Sequence, residues 1–338
     1  MSAARRLRVG VIGAGAMGAS HARTLANAVA SAEVVALYDR DTQRAAAVAA
    51  EVGARVADSP EALIDAVDAV VVVSPDFTHV DLVLACLAAG KHVLCEKPLA
   101  ENAADAHRVV EAEVALGRQL VQVGFNRRFD PGFVELKASV TAGELGDVRL
   151  VHGIHRNASN ATSTDDATLV TGSMIHELDT FRWLLDGEIV AIRVESPVVD
   201  GFRDPQVATL WTDQGQMLTA EVFVNAAYGY DVRVEVVGTG GSAMLEPRTP
   251  VVRRTAGQSR SSIGSDFVEH FLESYRIELA QWTEASLAGR VVGATAWDGF
   301  MANLVAGHGV DALRSGERRT IDVPQRPALY ATPPTHAG

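Results

Sequence analysis

The sequence predicts an α/β protein: an N-terminal doubly wound parallel sheet, followed by an α/β domain with a large, open, mostly antiparallel sheet. Three observations carry this. From residue 8 to residue 123, short β-branched runs alternate with alanine-rich helical stretches, the rhythm of parallel strands joined by right-handed crossover helices. AVVVVSP (69–75) is continuously apolar, as a strand covered on both faces must be. After Phe125 several strand-like runs follow one another, separated by turn signals such as Asp213-Gln-Gly and Thr239-Gly-Gly, which is how antiparallel neighbours are joined.

Taken in order, LRVGVIG (7–13) reads as a strand and ASHARTLANAVA (19–30) as a helix. EVVALYD (33–39) is a second strand, and TQRAAAVAAEVG (42–53) a helix stopped by its glycine. After the apolar strand come the helix 80–90, the strand HVLCEK (92–97), the helix 104–117 and the strand QLVQVGF (119–125). The second half opens with a helix over 129–146 and a strand VRLVHGIHR (148–156). A polar loop (157–166) then leads to the helix MIHELDTFRWLLDG (174–187). Strands are expected at 190–198, on both sides of a turn within 206–224, and within 230–247, then helices at 266–288 and 295–315. The domains are accordingly placed at 1–124 and 125–323, with a late helix a candidate to return to the first. The proline-rich stretch 324–338 reads as a frayed tail.

At 338 residues, 48% hydrophobic and 21% charged, the chain has room for two cores. A net charge of −12 argues against nucleic-acid or anionic-membrane partners, which need a basic footprint. No apolar run is long enough to span a bilayer, and the N-terminus passes from two arginines straight into a strand, unlike a secretory signal. Cys86 and Cys95 stand in unrelated contexts and suggest neither a disulfide framework nor a metal site. A reducing cytoplasm is the expected compartment. HELD (176–179) lacks the second histidine a zinc helix carries, so no metal is expected.

Gly13-Ala-Gly15-Ala16-Met17-Gly18 follows a strand and opens a helix. In that setting the first glycine permits a tight turn, the second lets backbone approach a pyrophosphate, and the third lets helix pack on strand. The helix N-terminus offers N–H groups to the phosphates. Asp39, ending the second strand, is placed to accept from both adenosine ribose hydroxyls, which favours NAD; Arg40 beside it keeps NADP as the alternative. A second signal is Lys97. Of thirty basic residues only Lys91, Lys97 and Lys137 are lysines, and a lysine, unlike an arginine, can be tuned to release a proton. Lys97 precedes Pro98 at a strand end, so it faces the crevice where open α/β sheets bind ligands.

The glycine turn, SPDFTH (74–79), CEKPLA (95–100) and HELD together resemble the Gfo/Idh/MocA oxidoreductases. GFNRRFDP (124–131), HRN (155–157), MIHELD (174–179) and YGYD (228–231) look most like the inositol 2-dehydrogenases within them, over nearly the whole chain. The resemblance implies a Rossmann domain and an α/β substrate domain whose sheet makes a homo-oligomer, a dimer or tetramer. It implies NAD-dependent oxidation of a CH–OH group of a cyclitol or sugar. Lys97 would bind the reacting hydroxyl and His176 act as acid or base. Ser74, Pro75, His79 and Glu96 would lie along the cofactor, and Arg127, His155, Asn157 and Tyr230 would line the polyol pocket. One departure stands out: where the family's inositol enzymes place an aspartate four residues before the histidine, this chain has Gly172. Asp165 and Asp166 in the loop before are the nearby acids.

The chemistry agrees without the family. Oxidising a secondary alcohol needs a hydride acceptor, a base for the hydroxyl proton and a cation for the developing alkoxide. Lysine and histidine meet the last two needs. His152 and His155 are three apart on one strand, so at most one faces a site. His176 with Glu177 and Asp179 also fits a mere helix anchor, and Trp183 and Leu184 behind it read as core. Two other functions remain open: dehydrogenation of an aminocyclitol, sugar or glycoside, and cofactor binding without catalysis.

Overall fold

A computed structural model describes residues 5–159, 165–199, 201–246 and 251–331. The chain forms two compact units: residues 1–129, 273–304 and 325–338 in the first, 130–272 and 305–324 in the second.

In the first unit the strands are β1 (Leu7–Ile12), β2 (Ala32–Tyr38), β3 (Arg55–Val56), β4 (Ala69–Val72), β5 (His92–Glu96) and β6 (Val121–Gly124). The sheet order is β6-β5-β4-β1-β2-β3, all parallel, with the short strand Ala294–Thr295 antiparallel on the β6 edge. This is the doubly wound Rossmann order, reversing direction between β1 and β4. β4 is buried at every residue, as its unbroken apolar run requires. The helices Ala16–Ala28 and Thr42–Val52 lie along one side of the core, where Leu25, Val48 and Ala49 meet Val9, Val11 and Val34. The helix Leu272–Leu287 joins that core through Leu279 and Trp282.

Residues 325–331, expected as part of a frayed tail, are instead fastened to this unit. Tyr330 is buried and its hydroxyl donates to Glu113 Oε2 (2.7 Å). Gln119 Nε2 donates to the Leu329 carbonyl (2.6 Å). Glu113 needs such donors, because burial pushes its pKa up and only hydrogen bonds from Leu120, Tyr330 and Val121 offset that. A proline-rich composition does not reveal one anchoring tyrosine.

The second unit is built on β7 (Val148–Arg156), β8 (Ile189–Glu195), β9 (Gln206–Thr212), β10 (Met217–Phe223), β11 (Asp231–Gly238) and β12 (Ser242–Leu245). Their order is β12-β11-β7-β10-β9-β8, with Arg319–Thr320 on the far edge. Every pair is antiparallel except β7 with β10. β7 alternates, with Val151, Gly153 and His155 buried and His152 on the opposite face, so its two histidines are separated by the strand's period of two. The helix Ile175–Leu185 covers the inner face. Gly153 makes room for it: a Cβ there would come within 2.7 Å of Phe181. The turn before this helix, to which the sequence pattern assigns no element, is a π-helix over Leu169–Met174. Of the polar loop 157–166, residues 160–164 lie outside the described residues.

Candidate functional site

The first unit carries a cofactor cradle whose glycines separate by purpose. Gly13 has φ +106° and a Cβ would collide with Val73 O at 2.6 Å; at Gly18 it would collide with Gly13 O at 2.0 Å. Both are required by the turn itself. Gly15 is different. It caps the helix Ala16–Ala28 without a side-chain hydrogen bond, and a Cβ there would meet nothing within 4 Å. Packing does not explain that glycine, whereas a dinucleotide pyrophosphate approaching the helix N–H groups does. Ala16 is exposed and Met17 half-buried at this helix start. The donor set therefore fits NAD.

Asp39 holds the turn together. Its Oδ2 accepts from Ala14 N (2.7 Å) and its Oδ1 from Asp41 N (2.8 Å). Arg40 is exposed. The guanidinium nearest the carboxylate is instead that of Arg44, 3.8 Å from Asp39 and 3.3 Å from Asp41. The sequence offered no reason to single Arg44 out.

The loop after β4 and the turn after β5 are tied by His79. Its ring nitrogens each lie 2.8 Å from a carbonyl oxygen, those of Pro98 and Ser74. Buried and engaged on both sides, His79 braces the two loops that were expected to lie along the cofactor. Ser74 Oγ meets Thr78 Oγ1 at 2.6 Å, and Thr78 donates to the Pro75 carbonyl.

Lys97 directly follows β5 and is partly exposed. Beneath it lies a buried polar cluster that the sequence did not announce. Glu96 Oε1 is 2.7 Å from His21 Nε2, and Glu96 Oε2 accepts from Lys97 N (3.2 Å). Burial pushes the Glu96 pKa up, but His21 and the Lys97 charge outweigh it and hold the carboxyl below its usual range. His21 also packs its ring on Tyr275 (5.6 Å). Asn126 donates to Ser274 (3.1 Å), and Arg127 beside it is buried. Glu278 is fully buried; burial, then the Glu96 charge, pushes its pKa well up. The Gln122 amide stands next to it without good hydrogen-bond geometry.

The raised Glu278 pKa carries a sign for stability. A carboxyl whose folded pKa is raised gives stability that is fully present below the unfolded pKa, near 4.5, and is lost as pH climbs towards the folded value. Glu278→Gln, always neutral, is free of this loss. Its stability relative to wild type is expected to rise with pH above about 4.5, by up to about 1.4 kcal/mol per pH unit, and its melting temperature with it. Thermal melts from pH 4 to pH 8 test it; a pH-independent difference means Glu278 is ionised in the fold.

In the second unit His155, His176 and Tyr230 come together. The His155 ring lies 6.1 Å from His176 and 5.9 Å from Tyr230, edge-on to both. His155 Nδ1 is 3.3 Å from Glu177 Oε2, both side chains buried. Tyr230 is braced by His270 (5.3 Å) and Phe271 (6.2 Å). Asn157 follows β7; its Oδ1 is buried with no hydrogen-bond partner among the described residues, an atom suited to a ligand hydroxyl. His152 is set apart, bonded to Thr219 (2.8 Å). At Gly172 a Cβ would meet nothing within 4 Å. The two loop acids are committed elsewhere: Asp165 caps a helical turn at Ala167 N, and Asp166 binds Arg203 through its backbone and guanidinium. Among the described residues no group of three or more His, Cys, Asp or Glu is arranged to hold a metal.

Comparison with known proteins agrees with this geometry. Residues 7–125 match the family model described as "Oxidoreductase family, NAD-binding Rossmann fold", and residues 133–244 that of the "GFO/IDH/MocA C-terminal domain". The chain is 45% identical to inositol 2-dehydrogenase 2 of Saccharopolyspora erythraea, over 96% of this chain and 98% of the relative. It is 43% identical to an inositol 2-dehydrogenase of Pseudomonas fluorescens, over 96% and 99%. Among solved structures, a myo-inositol dehydrogenase from Lactobacillus casei in complex with NAD(H) and myo-inositol superposes with a TM-score of 0.92 at 33% identity, over 96% and 99% of the two chains. Both halves match, and in order along the sequence: the chain belongs to the GFO/IDH/MocA family of NAD-binding oxidoreductases.

Proposed function

We propose that this protein is an NAD-dependent dehydrogenase that oxidises a secondary hydroxyl of an inositol-type ring to a ketone. The observation that carries the reading is the pairing of a built dinucleotide cradle, with Gly15 open at a helix N-terminus, and a second unit that clusters His155, His176 and Tyr230. The inositol 2-dehydrogenase relatives support the substrate class. NAD, held by the glycine turn and Asp39, supplies the hydride acceptor. Lys97 holds the reacting oxygen and stabilises charge as it builds there. His176 takes the hydroxyl proton. Arg127, His155, Asn157 and Tyr230 orient the ring. Reduced-nicotinamide absorbance with NAD and a panel of cyclitols and sugars tests this; no turnover of any of them, with NAD bound, leaves a cofactor-binding protein only.

Asp39 sets cofactor choice in this reading, because a carboxylate repels a 2′-phosphate and loses ribose hydrogen bonds to it. Asp39→Ser is expected to raise the NADP-to-NAD ratio of kcat/KM by about tenfold or more, with Arg44 and Arg40 receiving the phosphate. Because Asp39 also secures Ala14 and Asp41, KM for NAD rises too. Wild type that uses both cofactors equally removes this role.

The exposed face of the second sheet is proposed as the homo-oligomer interface. Trp211, Met217, Leu150 and Val237 stand side by side in register across β9, β10, β7 and β11, none of them fully buried, and Met217 and Val207 are exposed. Solution molar mass distinguishes dimer, tetramer and monomer. A cytoplasmic location is proposed with it, consistent with two free, buried thiols; no helix among the described residues is long and apolar enough to cross a membrane.

A second substrate reading, a modified cyclitol, aminocyclitol or glycoside, is favoured by one observation: the open space at Gly172.

A further inference from the structure

The helix Ile175–Leu185 presents two consecutive polar side chains of opposite fate: His176 is partly exposed and Glu177 is buried. A buried carboxylate in an otherwise apolar helix face costs stability unless it is satisfied. The structure shows what it meets. Glu177 lies over Gly153, where an added Cβ would stand 3.4 Å from the Glu177 Cγ, and its Oε2 lies 3.3 Å from His155 Nδ1. His155 is in turn edge-on to His176 at 6.1 Å. Gly153 and His155 are two apart on β7, so both face this helix.

We propose that Glu177 is a positioning residue, acting on the ring-binding wall through His155, whose tautomer and orientation it fixes. This rests on the dehydrogenase reading above and deepens it. A carboxylate only accepts hydrogen bonds. Against Glu177, a neutral His155 therefore carries its proton on Nδ1 and leaves Nε2, on the other side of the ring, as an acceptor. An Nε2 acceptor receives a hydrogen bond from a substrate hydroxyl; an Nε2–H would instead demand an acceptor. The pair thus determines which hydroxyl orientation the wall reads, and packs the edge of His155 against His176.

The other polar groups around the pair do not replace Glu177. Tyr230, edge-on to His155, is an uncharged phenol that also meets His270 and Phe271 edge-on. On the helix, Asp179 is buried two residues on, and Arg182 is committed to Glu188 at 2.6 and 3.0 Å. The neighbours of His155 across the sheet are Val222 and Val232, which carry no charge. The turn before His176 carries no charged side chain, and its Thr171 donates its hydroxyl to the Ala167 carbonyl (3.3 Å).

The test separates this proposal from the function it rests on. Nitrogen NMR of the full-length protein, labelled at histidine, reads the tautomer of His155 without turnover, with His155→Asn assigning its signals. Wild type is expected to show His155 as the Nδ1–H form near neutral pH, and Glu177→Ala to lose that preference. In kinetics, Glu177→Ala is expected to lower kcat by about tenfold or more and to raise KM for the ring, with the dissociation constant for NAD unchanged. Glu177→Asp, which keeps the carboxylate on a shorter stem, recovers part of both. His155 found in the Nε2–H form in wild type overturns the proposal, as does a Glu177→Ala variant with the tautomer and kcat of wild type. An inactive wild type with His155 in the Nδ1–H form overturns the dehydrogenase reading instead.

Discussion

Lys97→Ala is expected to lower kcat by about a hundredfold or more while NAD still binds. The size follows from the task. As the carbinol loses hydride, negative charge collects on oxygen, and groups that meet such charge or move its proton are each worth roughly a hundred- to ten-thousandfold. The cofactor cradle is built from Gly13, Gly15, Gly18 and Asp39, none of which Lys97 supports, so NAD affinity is expected to change little. Lys97→Arg is the sharper variant. It keeps the charge, but a planar fork on a different stem cannot sit where a compact ammonium does, nor give up its proton. Turnover near that of alanine is expected. Stopped-flow absorbance of reduced nicotinamide, with NAD affinity measured by protein fluorescence, separates chemistry from binding. An arginine variant with near-native kcat reduces Lys97 to a cation that only steers substrate.

Much of this was legible from the chain, for identifiable reasons. Gly13 and Gly18 announce the cradle because a Cβ at either would clash, so their spacing is dictated by sterics before any ligand arrives. The sheet order follows from alternating strands and helices, and β4 from its unbroken valines. β3, two residues long and exposed, leaves no such pattern. The bracing by His79 left no trace in the sequence: its two carbonyl partners lie five and nineteen residues away, and only the fold brings them together. Glu278 was invisible for a different reason. One glutamate among Glu273, Arg276, Gln281 and Glu284 reads as a solvated face, and the cluster that buries it comes from β5, β6 and the first helix. The π-helix at Leu169–Met174 adds a residue to a turn without altering the apolar pattern, so the sequence could not show that the spacing before His176 is not α-helical.

That turn is where the second large effect is expected. Gly172→Asp should raise kcat/KM for myo-inositol on the order of tenfold or more, and lower it for bulkier rings. The glycine is not there for its backbone: it is not among the residues with positive φ, so an aspartate is not strained, and its Cβ enters open space. The two loop acids nearby do not cover that space. Asp166 is bound to Arg203 and Asp165 to its own turn. A carboxylate in this π-helical turn, four residues before His176, gives the wall an acceptor for a ring hydroxyl or for the imidazole. Sites that hydrogen-bond a substrate hydroxyl discriminate far more strongly than sites that merely fit it, so an added acceptor is felt in specificity before it is felt in affinity. The added volume works against any ring that uses the same space for a substituent. Exchanging glycine for aspartate in a helical turn is not expected to cost stability, since glycine is the poorer helix former; an unchanged or raised melting temperature confirms that kinetics, not folding, is being read. Steady-state kinetics of wild type and variant on myo-inositol, scyllo-inositol, glucose and a glycoside decide the matter. If wild type already oxidises myo-inositol efficiently and the aspartate changes nothing, the hydroxyl at this wall is satisfied by other groups, and the open space at Gly172 is no guide to the substrate.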